Sequence, residues 1–120
     1  MADILITDDD SGYREAFRNG LEQLGHRVQE APTAEVARGL LKTQRFDVVF
    51  LDVLMPGGGA VTMVHEISQD YPDLPMVVIT GRVELFDTPL FREGLRKATS
   101  VLRKTASLSE INDTIRYIVR

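Results

Sequence analysis

A run of carboxylates, Asp8, Asp9 and Asp10, a fourth carboxylate at Asp52, a hydroxyl at Thr80 and an ammonium at Lys104 are the residues of this chain with chemistry to offer. In one cleft the carboxylates would repel each other and require a cation, and hard Mg²⁺ prefers such oxygen ligands. One carboxylate could then attack a phosphoryl group and form an aspartyl phosphate, with the metal offsetting charge on the oxygens. A flexible ammonium such as Lys104 pairs with a phosphoryl oxygen as a point charge. The Thr80 hydroxyl can donate a hydrogen bond to another oxygen. Singly, each residue has a plainer explanation. Acidic runs after strands cap helices, and Asp10 or Ser11 is suited to cap the first one. A lone Asp at a strand end forms turns, and one Lys means little. What counts is whether one fold gathers them.

The elements that would do so are legible. Five apolar, β-branched stretches read as strands: Ile4–Thr7, Arg27–Ala31, Phe46–Leu51, Pro75–Thr80 and Thr99–Leu102. The third and fourth are nearly continuous apolar runs, as expected of strands covered on both faces of a parallel sheet. Between them run helical stripes. They are Ala16, Phe17, Leu21 and Leu24; Ala34, Ala37 and Leu41; Val61, Val64 and Ile67; and Leu108, Ile111, Ile115 and Ile118. All are read as core. Thr33 can cap the second helix, and Ser107 with Glu110 makes a capping box before the last. Thr88 and Pro89 read as an N-cap and first helical residue, so a helix is expected from Pro89 to about Lys97, after a loop from Gly81 to Asp87. Within it, Gly94 would weaken the helix relative to Ala.

Alternating strands and helices argue for an open α/β sheet wound on both faces. In such sheets ligands bind outside the carboxyl ends of the strands, near the switch in strand order. Asp8 and Asp9 follow the first strand, Asp52 ends the third, Thr80 ends the fourth, and Lys104 lies just past the fifth. In the flavodoxin-like order 2-1-3-4-5 these residues converge.

Composition narrows the function. The 120 residues suit one domain, 1–120, and the 43% hydrophobic content can fill one core. With no Cys, disulfides and thiolate chemistry are excluded. No signal peptide and no apolar run of membrane-spanning length are visible, so a cytoplasmic protein without membrane contact is expected. Residues 1–81 hold 6 Lys/Arg against 13 Asp/Glu, a net of −7, and residues 82–120 hold 8 against 5, a net of +3. The basic C-terminal part could meet an acidic partner, but a net charge of −4 without a dense basic stripe speaks against nucleic-acid contact. A hydrolase or nucleotide-binding α/β domain is a further class. No Gly-rich loop follows the first strand to support it, and His26 and His65 are read as surface residues.

Four segments carry a resemblance: ILITDDD at the first strand, VVFLDVLMPGG around Asp52, VVIT followed by Gly81, and VLRK ending in Lys104. Over essentially the whole chain, the sequence resembles the receiver domains of bacterial response regulators. The resemblance implies a phosphoacceptor at Asp52. It implies Mg²⁺ ligated by Asp9, Asp52 and the backbone carbonyl of Leu54, with Asp8 acting through water, and switch roles for Thr80 and Lys104. It also implies a phosphodonor, either a histidine kinase, a phosphotransfer protein or a small molecule such as acetyl phosphate. Such a domain catalyses only its own phosphorylation and dephosphorylation. Its output would pass to an effector domain beyond residue 120, to a separate partner or to a homodimer.

The departures from that family bear on switching. Val101 stands where an aromatic residue is usual, and Thr105 where a proline normally follows the lysine. A cis bond before Thr would cost about 3–4 kcal/mol, so the family's cis-proline is lost. Gly57, Gly58 and Gly59 suggest an unusually mobile loop beside Asp52. These changes keep open a pseudo-receiver, an interaction module that works without phosphate. Leu54 and Arg82 occupy the positions that flank the path of a hydrolytic water in similar receivers. The expectation is slow loss of the phosphoryl group, Leu54 by excluding water and Arg82 by covering the oxygens.

Overall fold

The computed structural model describes residues 1–55, 59–82, 84 and 88–119. Strand and helix alternate from end to end: β1 (Asp3–Thr7), α1 (Ser11–Gln23), β2 (Arg27–Ala31), α2 (Ala34–Thr43), β3 (Val48–Asp52), α3 (Gly59–Asp70), β4 (Met76–Thr80), α4 (Pro89–Gly94), β5 (Ser100–Arg103) and α5 (Leu108–Ile118). The strands form one parallel sheet in the order β2-β1-β3-β4-β5, the flavodoxin-like order expected from the sequence.

Side-chain alternation along the central strands splits the core in two. Leu5, Val49, Leu51, Met76 and Val78 pack under α2 and α3, with Leu95 after α4. Ile4, Ile6, Val48, Phe50, Val77 and Ile79 face the other way, under α1 and α5. Every residue of β3 and β4 is buried, as their unbroken apolar sequences require, whereas β5 at the sheet edge alternates. The sheet therefore has helices on both faces, and its carboxyl edge is the one place where the polar strand ends meet.

Capping agrees with the sequence. Asp10 caps α1 by accepting from the Tyr13 N–H, Thr33 caps α2, and Ser107 and Glu110 form the reciprocal box on α5. Thr88 is the N-cap of α4 and Pro89 its first residue, without a side-chain capping bond.

Four details differ from the sequence reading. Strand β3 starts two residues later than expected and ends on Asp52, so the carboxylate sits in the sheet, opposite Ile79. Helix α4 stops at Gly94 instead of Lys97, because Leu95 turns into the core and the residues after it offer no apolar stripe to continue the face. Two helical stripes are partly exposed: Ala16 and Leu24 on α1, where the buried row runs through Phe17 and Leu21 with Tyr13 one turn earlier, and Leu108 on α5. His26, expected at the surface, is buried: Nδ1 accepts from the Ala2 N–H at 3.0 Å and Nε2 lies 2.7 Å from Asn112 Oδ1. Gly25, at φ +94°, makes the turn that folds this histidine under the amino terminus and α5. His65 is exposed as expected. The loop expectation at Gly57 and Gly58, and most of the one between Gly81 and Asp87, fall outside the described residues. Among the described residues, no helix is long and apolar enough to cross a membrane.

Candidate functional site

Chain geometry at the carboxyl edge gathers the residues singled out above. Thr7 on β1 pairs with Leu51 on β3, so Asp8 and Asp52 emerge side by side. Thr80 on β4 pairs with Arg103 on β5, which brings Lys104 beside it, and the Lys104 N–H donates to the Thr80 carbonyl at 2.8 Å.

Asp8 is completely buried. Its Oδ1 accepts the Asp10 N–H at 2.9 Å, and its Oδ2 lies 2.7 Å from Lys104 Nζ. The same ammonium lies 3.5 Å from Asp52 Oδ2, while Asp52 Oδ1 accepts the Leu54 N–H at 3.4 Å. Asp9 is exposed at the mouth. One carboxylate oxygen from each of Asp8, Asp9 and Asp52 lies within 4.8 Å of the others.

Such crowding has an electrostatic consequence. Burial, then the charge of Asp8, pushes the Asp52 carboxyl up to about 6, against the pull of Lys104 and the Leu54 N–H. Burial alone would lower the Lys104 ammonium, but the bond to Asp8 and the charges of Asp52 and Asp8 outweigh it and hold it above its usual value. Three carboxylates and one ammonium leave a formal charge of −2, which a divalent cation balances. Oxygens around Mg²⁺ at about 2.1 Å stand roughly 3–4 Å apart, so this all-oxygen set fits the ion with little rearrangement.

The remaining residues are placed less uniformly. Thr80 is buried at the end of β4, and its Oγ1 accepts the Arg82 N–H at 2.8 Å, which leaves its own hydrogen to donate elsewhere. Leu54 is exposed beside Asp52. The Arg82 side chain, expected to shield the phosphoryl oxygens, is exposed here and engaged by Glu84 at 3.1 Å. Val101 on β5 is exposed and brings no ring to the site.

One residue at the site was missed by sequence reasoning. The Tyr13 ring centroid lies 4.9 Å from Lys104 Nζ. The signal was the i, i+4 row of Tyr13, Phe17 and Leu21, which aims a residue of the first helical turn at the carboxyl edge.

Comparison with known proteins gives a consistent family. The response regulator receiver domain family matches residues 4–116. The KDP operon transcriptional regulatory protein KdpE of Escherichia coli is 30% identical over 122 aligned residues, covering the whole of this chain and 52% of KdpE. The probable transcriptional regulator ycf29 of Cyanophora paradoxa is 33% identical over 84 residues, 68% of this chain and 40% of that protein. This chain thus spans about half or less of the length of these relatives. A response regulator receiver domain protein of Clostridium thermocellum superimposes with a TM-score of 0.86 at 26% identity, over 99% of this chain and 94% of the other.

Proposed function

This chain belongs to the response regulator receiver family, and from that premise we propose that it is a single receiver domain, residues 1–120, which accepts a phosphoryl group on Asp52. An Asp52 carboxylate oxygen attacks phosphorus, and the bond from phosphorus to the donor breaks with its electron pair leaving on the donor. The donor is a phosphohistidine of a kinase or phosphotransfer protein, or a small acyl phosphate. Bound Mg²⁺, held by Asp9, Asp52 and the Leu54 carbonyl with Asp8 behind, would neutralise charge on the transferring oxygens. Lys104 supplies a second positive charge to one phosphoryl oxygen, and Thr80 donates its hydroxyl hydrogen to another.

The observation that carries this reading is the cluster itself: three carboxylates within 4.8 Å, with the Lys104 ammonium on two of them. A resting site of this kind has the acceptor and the donors in place before a phosphodonor arrives. The domain acts on itself and not on an external substrate, and it reports by changing how its surface meets an effector module, a separate partner or a second copy. Reception from a histidine kinase places it in the cytoplasm.

Val101 and Thr105 favour a second reading, a phosphate-independent interaction module, since the usual aromatic and proline are missing. One experiment separates the two. Acetyl phosphate and Mg²⁺ are expected to add one phosphoryl group by intact mass, and Asp52→Asn to abolish the addition. Equal labelling of both proteins, or of neither, removes Asp52 as the acceptor.

A further inference from the structure

Lys104 is held at its two ends. Its N–H is held by the Thr80 carbonyl at 2.8 Å, and its ammonium lies between Asp8 at 2.7 Å and Asp52 at 3.5 Å. The stem between is a flexible four-carbon chain, which by itself leaves the charge free to wander. The stem passes Gly81, where an added Cβ would stand 4.0 Å from Lys104 Cδ, so this neighbour offers it no side chain. At the end of the stem the ammonium lies over Tyr13, with the ring centroid 4.9 Å from Nζ.

Tyr13 is well anchored for such a contact. Its N–H is held by the α1 cap, Asp10 Oδ1, at 3.1 Å. Its ring meets Phe17 at 6.1 Å, and Phe17 packs edge-on against Phe50 of β3 at 4.9 Å. Phe50 lies two residues before Asp52 on the same strand. An aromatic column therefore runs from the core beneath the acceptor strand up to the ammonium.

We propose that Tyr13 is a positioning residue for phosphoryl transfer, the face of its ring holding the Lys104 ammonium at the carboxylates where a phosphoryl oxygen will arrive. This deepens the proposed function and rests on Asp52 as the acceptor. A cation over a ring face is attracted by the negative face of the π-system, and more strongly where water is excluded. The ring is the working part: the Tyr13 hydroxyl oxygen is buried, and no described residue hydrogen-bonds to it. Without the ring, the ammonium is left to the two carboxylates alone, and its flexible stem lets it swing toward solvent.

The contact itself is tested on the unmodified protein. Ring-current shifts should move the Lys104 Cε protons upfield in wild type and Tyr13→Phe, and vanish in Tyr13→Leu. Unshifted Lys104 protons in the wild type overturn the proposal whether or not any variant folds. The role is tested by phosphoryl incorporation from acetyl phosphate and Mg²⁺. Loss of the ring should slow it about tenfold in Tyr13→Leu, while Tyr13→Phe stays within about twofold. In a Lys104→Ala background, Tyr13→Leu should have no further effect, since the interaction it removes is already gone. Equal slowing in both backgrounds would mean that Tyr13 acts through general packing, and the proposal fails. If the wild type gains no phosphoryl group on Asp52, the proposed function fails and takes this role with it. If the wild type is labelled and Tyr13→Leu matches its rate, only the role of Tyr13 falls.

Discussion

At the residue scale, one ammonium serving two carboxylates governs the resting site. Lys104 satisfies Asp8 closely and Asp52 loosely, so Asp52 is the carboxylate left with charge to share. Asp9, exposed at the mouth, is the carboxylate that an incoming cation would meet first. Mg²⁺ is accordingly expected to raise the thermal stability of the wild type, and Asp9→Ala to lose most of that increment, in melts recorded with and without the ion. An unchanged Mg²⁺ increment in Asp9→Ala would show that the ion is held elsewhere. Leu54 and Arg82 set a second expectation. With Arg82 turned to Glu84, protection of an aspartyl phosphate from water falls to Leu54. Leu54→Asn, which can orient a water, should hasten loss of the phosphoryl group, whereas Arg82→Ala should leave the decay near that of wild type. A faster decay in Arg82→Ala alone would mean that the arginine swings over the site once it is charged.

At the element scale, close approaches decide what the local sequence leaves open. Gly94 weakens α4 when the helix is considered alone, and Ala there would improve helix propensity by up to about 1 kcal/mol. In the fold, a Cβ at Gly94 would stand 2.7 Å from Val61 Cγ1 on α3, inside any tolerable contact. Val61 is β-branched and stiff, so it cannot swing aside cheaply. Gly94→Ala is therefore expected to destabilise the protein by about 1–2 kcal/mol in denaturant unfolding, and Val61→Ala in the same chain to restore part of it. A stabilised Gly94→Ala would show that α3 and α4 part easily. His26 is the second such junction, joining the amino terminus, β2 and α5 through Ala2 and Asn112. Replacing it with Ala removes two hydrogen bonds and leaves the Ala2 N–H without its partner, at an expected cost of about 1–3 kcal/mol. The Arg18–Glu22 ion pair on α1 is exposed at both ends and should matter less.

For the whole molecule, the fold stabilises a pocket that opposes its own stability. The sheet brings Asp8 and Asp52 together below the surface, and the core on both faces supplies the energy to hold them there. Burial and Asp8 raise the Asp52 carboxyl from 3.8 to about 6. A carboxyl held higher in the folded state binds its proton more tightly there than in the unfolded chain. Its contribution therefore favours the fold below the unfolded value and is lost as pH rises through about 6. In metal-free protein, Asp52→Asn should accordingly be more stable than wild type at about pH 8, by roughly 1–2 kcal/mol, with the gap closing below about pH 4. Equal stability of the two proteins across that range would mean that Lys104 already neutralises the pocket.

Local sequence specifies the alternation of strands and helices, most of the faces they bury, the caps at Asp10, Thr33 and Ser107, and the polar residues at the strand ends. These are written in neighbours within a few positions of each other, through side-chain period and backbone propensity. The convergence of Asp8, Asp9, Asp52, Thr80 and Lys104 was also legible, because a parallel sheet places all its carboxyl ends on one edge. Tertiary structure alone decided the rest. His26 is buried by partners 24 and 86 positions away, and no local pattern marks such a pairing. The contact of Gly94 with Val61 depends on how closely two helices pack, and the Tyr13 ring meets Lys104 only because α1 and the end of β5 flank the same pocket. Period and propensity specify which face a residue occupies, but the distance between two faces is set by the packing of everything between them.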